Sequence, residues 1–253
     1  MEATPLIATE RLGRVLVVRM QREAKRNAVD PEMTAGLDAA MNVLEDDEEL
    51  RVGVLTGTDA VFCAGTDLKQ GAGPPTERGG HYGVIRRTRR KPLIAAVEGP
   101  AVGGGFELVL ACDLVVASSA ATFGLPEVTR GVYAAFGGLF RGPRALPLNI
   151  AREMVLTGEP LGARHAHAFG LVNHLTDPGH ALGQALALAG RISQNAPLSV
   201  RVSMLVMEAA WAAQEEAGWR GSEEVRDTVA TSADAAEGRL AFAERRTPVW
   251  VGR

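Results

Sequence analysis

Short runs of β-branched and other apolar residues alternate with helical patterns through the first two-thirds of the 253-residue chain. The runs typical of strands cover residues 15–18, 52–56, 93–97 and 114–117. Between the first two runs, Asp30 and Pro31 are suited to the N-cap and first position of a helix, and apolar residues follow at helical spacing. Strands that alternate with helices predict an α/β fold with mostly parallel strand pairing.

Beyond Pro147 the β-branched runs become rare and helical patterns dominate. Predicted helical segments cover residues 149–156, 163–169, 178–193, 197–217 and 233–245. The proline at position 197 marks a boundary, which divides the chain into an α/β core of residues 1–196 and a helical region of residues 197–253. An apolar stripe in the helical region, suited to packing on the core or on a neighbouring subunit, consists of Val202, Leu205, Val206 and Ala209.

The composition limits the classes of function. Apolar residues make up 46% of the chain, which is enough for a sizeable core, and the net charge of −3 argues against nucleic acid as a partner. The two cysteines, Cys63 and Cys112, form no metal-ligand pattern and suggest no disulfide framework. Together with an N-terminus unlike a signal peptide and no apolar stretch long enough to span a membrane, they favour a cytoplasmic protein.

Three consecutive glycines, residues 103–105, precede an apolar helical run that contains Glu107. Glycines at the start of a helix allow close backbone approach, and the free N–H groups there can bind phosphate or stabilise an oxyanion. Tight packing is the alternative explanation for such a run. Glu107 has apolar neighbours, where a carboxylate is costly unless it has partners or a function, although it could also simply complement the helix dipole.

Two further segments carry chemistry. Glu127 follows Pro126, which fixes the backbone before the acid, so that a second functional carboxylate or a surface turn are both possible. Residues 61–68 (VFCAGTDL) form a loop after a predicted strand, the place where open α/β folds gather ligands, with an ordinary turn as the alternative. Glu107 and Glu127 are thus candidates for a general acid/base pair.

Three motifs, in their order and spacing, resemble the crotonase (enoyl-CoA hydratase/isomerase) superfamily, and its hydratases and carnitinyl-CoA dehydratases most of all. They are LTG(x)5FCAGTDL, KPLIAAVEGPAVGGGFELVLACD and TFGLPEVTRGV. The resemblance continues through residues 154–159 and 170–173 to residues 242–246, and so covers nearly the whole chain. It implies a crotonase-like spiral of ββα units with a helical C-terminal region that serves oligomerisation and site closure.

The resemblance also implies the substrate and the residues that bind it. The substrate is a coenzyme A thioester, the backbone N–H groups of Ala64 and Gly104 form an oxyanion hole for its carbonyl oxygen, and no metal or redox cofactor is needed. A homotrimer, or a hexamer made of two trimers, is implied as well. The residues implied in CoA or substrate binding are Lys25, Arg26, Ala28, Gly65, Thr66, Asp67 and Leu68.

For the reaction, the resemblance implies hydration of a double bond. Glu107 would deprotonate the water that attacks the β-carbon, and Glu127 would deliver a proton to the α-carbon. Because isomerases of the family often keep one acid, the presence of both favours a hydratase. The alternatives are an enoyl-CoA isomerase, another CoA-thioester lyase, or a non-catalytic member that binds acyl-CoA or RNA.

The sequence departs from many hydratases at residues 134–136 (AAF), where those enzymes have a Pro-Gly segment. The backbone N–H of Ala135 could still hold the attacking water, and Tyr133 and Phe136 could crowd or polarise the acyl pocket.

Two other segments leave alternatives open. Residues 71–80 are rich in glycine and proline and predict either a disordered connector or a flap beside the site. The basic residues at positions 86–91 predict a solvated helix end in preference to a site for RNA or for CoA phosphates.

Overall fold

The structure, a computed structural model, describes residues 5–253. Its strands are β1 (Ile7–Leu12), β2 (Val15–Met20), β3 (Val52–Thr56), β4 (Leu93–Val97), β5 (Ala101–Val102), β6 (Leu114–Ser118), β7 (Thr122–Gly124), β8 (Leu161–Gly162) and β9 (His174–Thr176). Six of them form one sheet in the order β1-β2-β3-β4-β6-β9, and β5-β7-β8 form a smaller one. In the large sheet only the β1–β2 pair is antiparallel, so the predicted α/β class with mostly parallel pairing is confirmed.

The helices surround these sheets and dominate the C-terminal part of the chain. They are α1 (Pro31–Asp46), α2 (Gly104–Leu110), α3 (Gly138–Ala145), α4 (Leu148–Thr157), α5 (Ala163–Ala168), α6 (Ala181–Ser193), α7 (Pro197–Glu224), α8 (Arg226–Ala230) and α9 (Ala233–Glu244). The side chain of Asp30 accepts a hydrogen bond from the N–H of Met33, which confirms the predicted start of α1. The five helical segments predicted beyond Pro147 all exist, with ends that differ by at most three residues, except that α7 continues to Glu224 beyond the predicted end at residue 217.

The large sheet is covered on both faces, which is why its central strands are apolar throughout. On one face, Val52, Val54 and Ile94 pack against the small side chains of α6. On the other face, α1 and α2 contribute to the main core, where Leu37 and Phe106 are fully buried. The loops that follow β3 and β4 run from this packed layer to the site described below.

The shortest strands were not predicted from the sequence. β5 and β8 have two residues each, and β7 and β9 have three. Strands this short are defined by their partners and carry too few residues for a periodic pattern. Two of them, β8 and β9, lie beyond Pro147, in the part of the chain where helical patterns dominate.

The sequence predicted a solvated helix end for the basic cluster of residues 86–91, and the structure shows that this prediction is wrong. Arg87 is buried and pairs with Asp38 on α1, and Arg89 pairs with Asp113. The ammonium group of Lys91, also buried, donates to the carbonyl oxygens of Leu44 and Asp47 at the end of α1. Arg87 and Arg89 are thus paired with carboxylates and Lys91 is held by backbone carbonyls, so the segment lacks the free basic stripe that RNA binding requires.

The segment of residues 71–80 is attached to α1. The hydroxyl of Thr34 donates to the carbonyl of Ala72, and that of Thr76 donates to Asp38. These bonds argue against the predicted disordered connector, whereas residues 71–80 are absent from the cavity lining described below, so the flap stays a prediction. None of the helices in residues 5–253 is both long and apolar enough to cross a membrane.

Gly105→Ala should destabilise the protein, because a Cβ there would lie 2.1 Å from the carbonyl oxygen of Cys63. We expect a loss of about 1–3 kcal/mol in the free energy of unfolding, measured by chemical denaturation. Gly190→Ala on α6 is the matched control, since nothing lies within 4 Å of its Cβ position. That variant should be neutral or slightly more stable, and equal losses in both variants would contradict the packing argument.

Candidate active site

Glu107 lies in the first turn of α2 and is 1% exposed. One oxygen of its carboxyl group, Oε1, accepts hydrogen bonds from the backbone N–H groups of Phe136 at 2.7 Å and Gly138 at 2.9 Å. Two fixed donors on one oxygen orient the carboxyl group and favour its charged form. The segment that precedes α3 therefore sets the direction of the Glu107 side chain.

Glu127 lies in the turn that follows β7 and lines the same region as Glu107. Its Oε2 atom is buried and has no hydrogen-bond partner in residues 5–253. The other oxygen lies beside Gly103, where an added Cβ would be 3.2 Å from it. A buried carboxyl oxygen without a partner is costly unless a ligand or water occupies the space before it.

Both carboxyl groups have raised pKa values. Burial, followed by the charge of Glu127, raises the pKa of Glu107 to about 8, and the two N–H donors oppose this rise. Burial raises the pKa of Glu127 to about 7. Since part of the higher pKa of Glu107 comes from a charged Glu127, Glu107 ionises more readily when Glu127 is protonated. Near neutral pH the pair can therefore hold one proton between two carboxyl groups.

The two acids line one cavity of about 620 Å³. Most of the residues predicted for the site line it as well, and these are Arg26, Ala64, Gly65, Thr66, Leu68, Gly104 and Ala135. The large volume and the mixed apolar and charged lining suit an elongated organic ligand. The structure thus brings together residues from four separate segments of the sequence.

Three of the predicted binding residues do not line this cavity: Lys25, Ala28 and Asp67. Lys25 is exposed in a short turn. The Asp67 carboxylate pairs with Arg22 at 2.7 Å, and this hydrogen bond, together with those from backbone N–H groups, lowers its pKa. Arg22 also donates to the carbonyl of Ala28. In this structure Asp67 and Ala28 fix the loop beside the cavity.

The two predicted oxyanion-hole donors differ in their environment. The N–H of Gly104 is a first-turn donor of α2 and has no acceptor within the helix. The N–H of Ala64 donates to the carbonyl oxygen of Arg26 at 3.0 Å. Gly65 lies against Gly104, since a Cβ on Gly65 would be 2.9 Å from the Gly104 nitrogen. The two donors are therefore on adjoining backbone segments, and the N–H of Ala64 already donates to another backbone carbonyl.

Asn27 stabilises the turn that contains the Arg26 carbonyl, the acceptor of the Ala64 N–H. The sequence analysis did not identify this role. Arg26 and Asn27 both have left-handed backbones, with φ of 52° and 51°. The Asn27 side chain is fully buried, accepts from the N–H of Arg22 and donates to the carbonyls of Val61 and Phe62. The amide thereby stabilises the turn and positions the loop that contains Ala64.

Residues near the mouth and floor of the cavity were also missed. Arg130 and Phe242 line it, and the guanidinium of Arg130 lies 4.5 Å from the centre of the Phe242 ring. Tyr82 lines it from the segment that follows residues 71–80. Arg130 lies within the third motif and Phe242 within the C-terminal segment of the resemblance, but neither position by itself indicates contact with the cavity, and Tyr82 lies outside all the motifs.

The segment of residues 133–138 departs from the usual hydratase sequence but still supplies N–H donors. Phe136 and Gly138 hold Glu107, while Ala135 lines the cavity. The Phe136 ring stacks on His81 at 4.2 Å, and the Tyr133 hydroxyl donates to the carbonyl of Ser222 on α7. Residues 5–253 contain no group of three or more His, Cys, Asp or Glu side chains arranged to hold a metal ion.

The sequence matches the family described as enoyl-CoA hydratase/isomerase over residues 10–253. An enoyl-CoA hydratase of Mycobacterium tuberculosis is 37% identical over 262 residues, which cover 100% of this chain and 98% of that protein. A carnitinyl-CoA dehydratase of Proteus mirabilis is 37% identical over 252 residues, which cover 95% of this chain and 96% of the relative.

The fold is similar to those of solved structures from the same group of enzymes. The crystal structure of a carnitinyl-CoA hydratase from Mycobacterium avium superposes with a TM-score of 0.92 at 41% identity. The match covers 99% of this chain and all of the other. Similarity of this extent includes the segments that line the cavity.

Glu107→Gln should change the dependence of stability on pH. The raised pKa of Glu107 means that the folded protein binds its proton more tightly than the unfolded chain, so this contribution is complete below about pH 4.5 and is lost as pH rises through about 8. Relative to wild type, the variant should gain up to about 4 kcal/mol between pH 5 and pH 8.5, measured by denaturant titration. A matched control is Glu48→Gln at an exposed position, which should show no such gain; an equal gain in both variants would refute the assignment.

Proposed function

The chain belongs to the enoyl-CoA hydratase/isomerase family, and we propose that it is a hydratase that adds water reversibly across the α,β double bond of an enoyl-CoA thioester. The observation that carries this proposal is the pair of the buried Glu107 and the partly buried Glu127, which line one cavity and have raised pKa values. Water addition requires one base and one acid at the same time, and two coupled carboxyl groups that share a proton supply both.

In the proposed reaction, Glu107 accepts a proton from water as the water oxygen bonds to the β-carbon. Glu127 gives its proton to the α-carbon, and the reverse sequence dehydrates the product. The pKa values of about 8 for Glu107 and about 7 for Glu127 by themselves place the shared proton on Glu107. Once Glu127 holds the proton, the charge repulsion that raises the pKa of Glu107 is gone, and the Phe136 and Gly138 N–H donors favour the Glu107 carboxylate, so the proposed base rests on these donors. The partnerless Oε2 of Glu127 in its buried position supports the role of the neutral acid.

The thioester oxygen gains negative charge when the water adds, and we propose that the N–H groups of Ala64 and Gly104 stabilise it. The free N–H of Gly104 at the start of α2 supports this role directly. Ala64 can contribute in a three-centre hydrogen bond, which it shares with the Arg26 carbonyl. The proposed chemistry needs no redox cofactor, since addition of water transfers no electrons to an outside acceptor. It needs no metal ion, since the two N–H donors stabilise the charge on the thioester oxygen.

The CoA part of the substrate is proposed to bind at the cavity mouth. Arg26 and Arg130 line the cavity with exposed side chains and can pair with phosphate groups. Phe242 on α9 also lines it, which supports a role of residues 197–253 in site closure. The two free cysteines, one buried and one partly buried, support a cytoplasmic location.

Crotonyl-CoA should lose its ultraviolet absorbance on addition of the wild-type protein, because hydration removes the conjugated double bond. Glu107→Gln and Glu127→Gln should each lower kcat about 10²- to 10⁴-fold, the usual contribution of acid/base catalysis. Exposed Glu153 on α4 provides the control, since Glu153→Gln should keep wild-type activity. Wild-type rates in either cavity variant would remove that acid from the mechanism, and a shift of a 3-enoyl-CoA double bond without hydration would favour the isomerase alternative.

The protein is also proposed to form a homotrimer, or a hexamer of two trimers. Support comes from α7, where large apolar side chains are exposed, including Leu198, Leu205 and Val206. Light scattering should give three or six times the mass of one chain, and Leu205→Glu should lower the oligomer fraction at micromolar concentration. Glu48→Lys in the loop after α1 should not change it, and a monomeric wild-type protein would contradict the proposal.

A further inference from the structure

Tyr82 is almost fully buried and lines the cavity beside the proposed oxyanion hole. A Cβ on Gly104 would lie 2.0 Å from the Tyr82 hydroxyl oxygen, so the phenol rests against the Cα of the residue whose N–H is free. Only glycine at position 104 allows this approach. The Tyr82 hydroxyl and Gly104 are therefore immediate neighbours in the lining of one cavity.

The Tyr82 hydroxyl forms one hydrogen bond, with the hydroxyl of Thr66 at 2.6 Å. Each of these hydroxyl groups carries one proton, and a single hydrogen bond between them uses only one. The second proton has no acceptor among residues 5–253. Since both side chains line the cavity, a ligand there is the natural acceptor.

The backbone of Tyr82 indicates that its position is imposed by the surrounding structure. Its φ is 56°, a left-handed conformation that is rare for an aromatic residue. Gly83 packs against the backbone of Asp38 on α1, and Arg87 pairs with the same aspartate. The ring is also packed edge-on against Phe136 at 5.2 Å. Strain of this kind is retained where the fold needs a side chain in one place.

We propose that Tyr82 is a catalytic residue whose hydroxyl donates a third hydrogen bond to the thioester oxygen, with Thr66 donating to Tyr82 and thereby directing the phenolic proton into the cavity. This inference rests on the proposed hydratase function. A third donor compensates for the Ala64 N–H, which is shared with Arg26. Burial raises the pKa of Tyr82 well above 10, which keeps the donor protonated throughout the pH range of the reaction.

Tyr82→Phe should lower kcat for crotonyl-CoA about a hundredfold and leave KM nearly unchanged, because the bond is strongest to the oxyanion. Thr66→Val should have a smaller effect, since the phenol keeps its proton. The double variant should be no slower than Tyr82→Phe, as the two hydroxyls act through one hydrogen bond. If the wild type hydrates crotonyl-CoA and Tyr82→Phe keeps its kcat, this inference fails; if the wild type is inactive, the proposed function fails instead.

The infrared band of the thioester carbonyl separates donation from a structural effect. Crotonyl-CoA labelled at this carbonyl and bound to Glu107→Gln should absorb at lower frequency than in water, and adding Tyr82→Phe should move the band back upward. Glu153→Gln is the control, because Glu153 is exposed on α4 and does not line the cavity, and it should leave the band in place. A band unchanged by Tyr82→Phe, or a larger shift with Thr66→Val, would overturn the assignment.

Discussion

The hydrogen bonds from Phe136 and Gly138 to one oxygen of Glu107 connect the architecture of this protein to its chemistry. Burying a carboxyl group on an apolar helix is costly, and these two donors are what makes the burial tolerable. They come from a segment that is about thirty residues away in sequence, so they exist only when α2 and α3 pack together. The same burial gives both acids the raised pKa values that acid/base chemistry near neutral pH requires.

Close backbone contacts hold the rest of the site. Gly65 and Gly105 bring the loop after β3 against the start of α2, where a Cβ on either residue would collide with the backbone. The fully buried side-chain amide of Asn27 also stabilises this loop, because it donates to the carbonyls of Val61 and Phe62. The oxyanion donors are thus part of rigid, packed backbone, which is the condition under which fixed dipoles stabilise a developing charge without reorganisation.

Much of this arrangement could be predicted from the sequence, because the strongest signals are local. The β3 and β4 strands, the Asp30 cap of α1 and the glycine-opened helix that carries Glu107 each depend on neighbouring residues. The basic residues 86–91 were interpreted wrongly, because their partners Asp38, Glu45 and Asp113 lie elsewhere in the chain. Asp67 matches a motif position, yet its carboxylate is used by Arg22 and not by the cavity.

The sequence by itself determined the α/β class and the family. It also singled out Glu107, in a glycine-opened apolar helix, and Glu127, directly after Pro126, as candidate acids. Periodicity, caps and linked motifs are properties of contiguous residues, so they can be recognised without coordinates. The tertiary structure alone decided that Glu107 and Glu127 line one cavity, that Arg26 shares the N–H of Ala64, and that Tyr82 rests on Gly104. Those relations join segments that are distant in the chain, and their distances and desolvation arise only when the segments pack together.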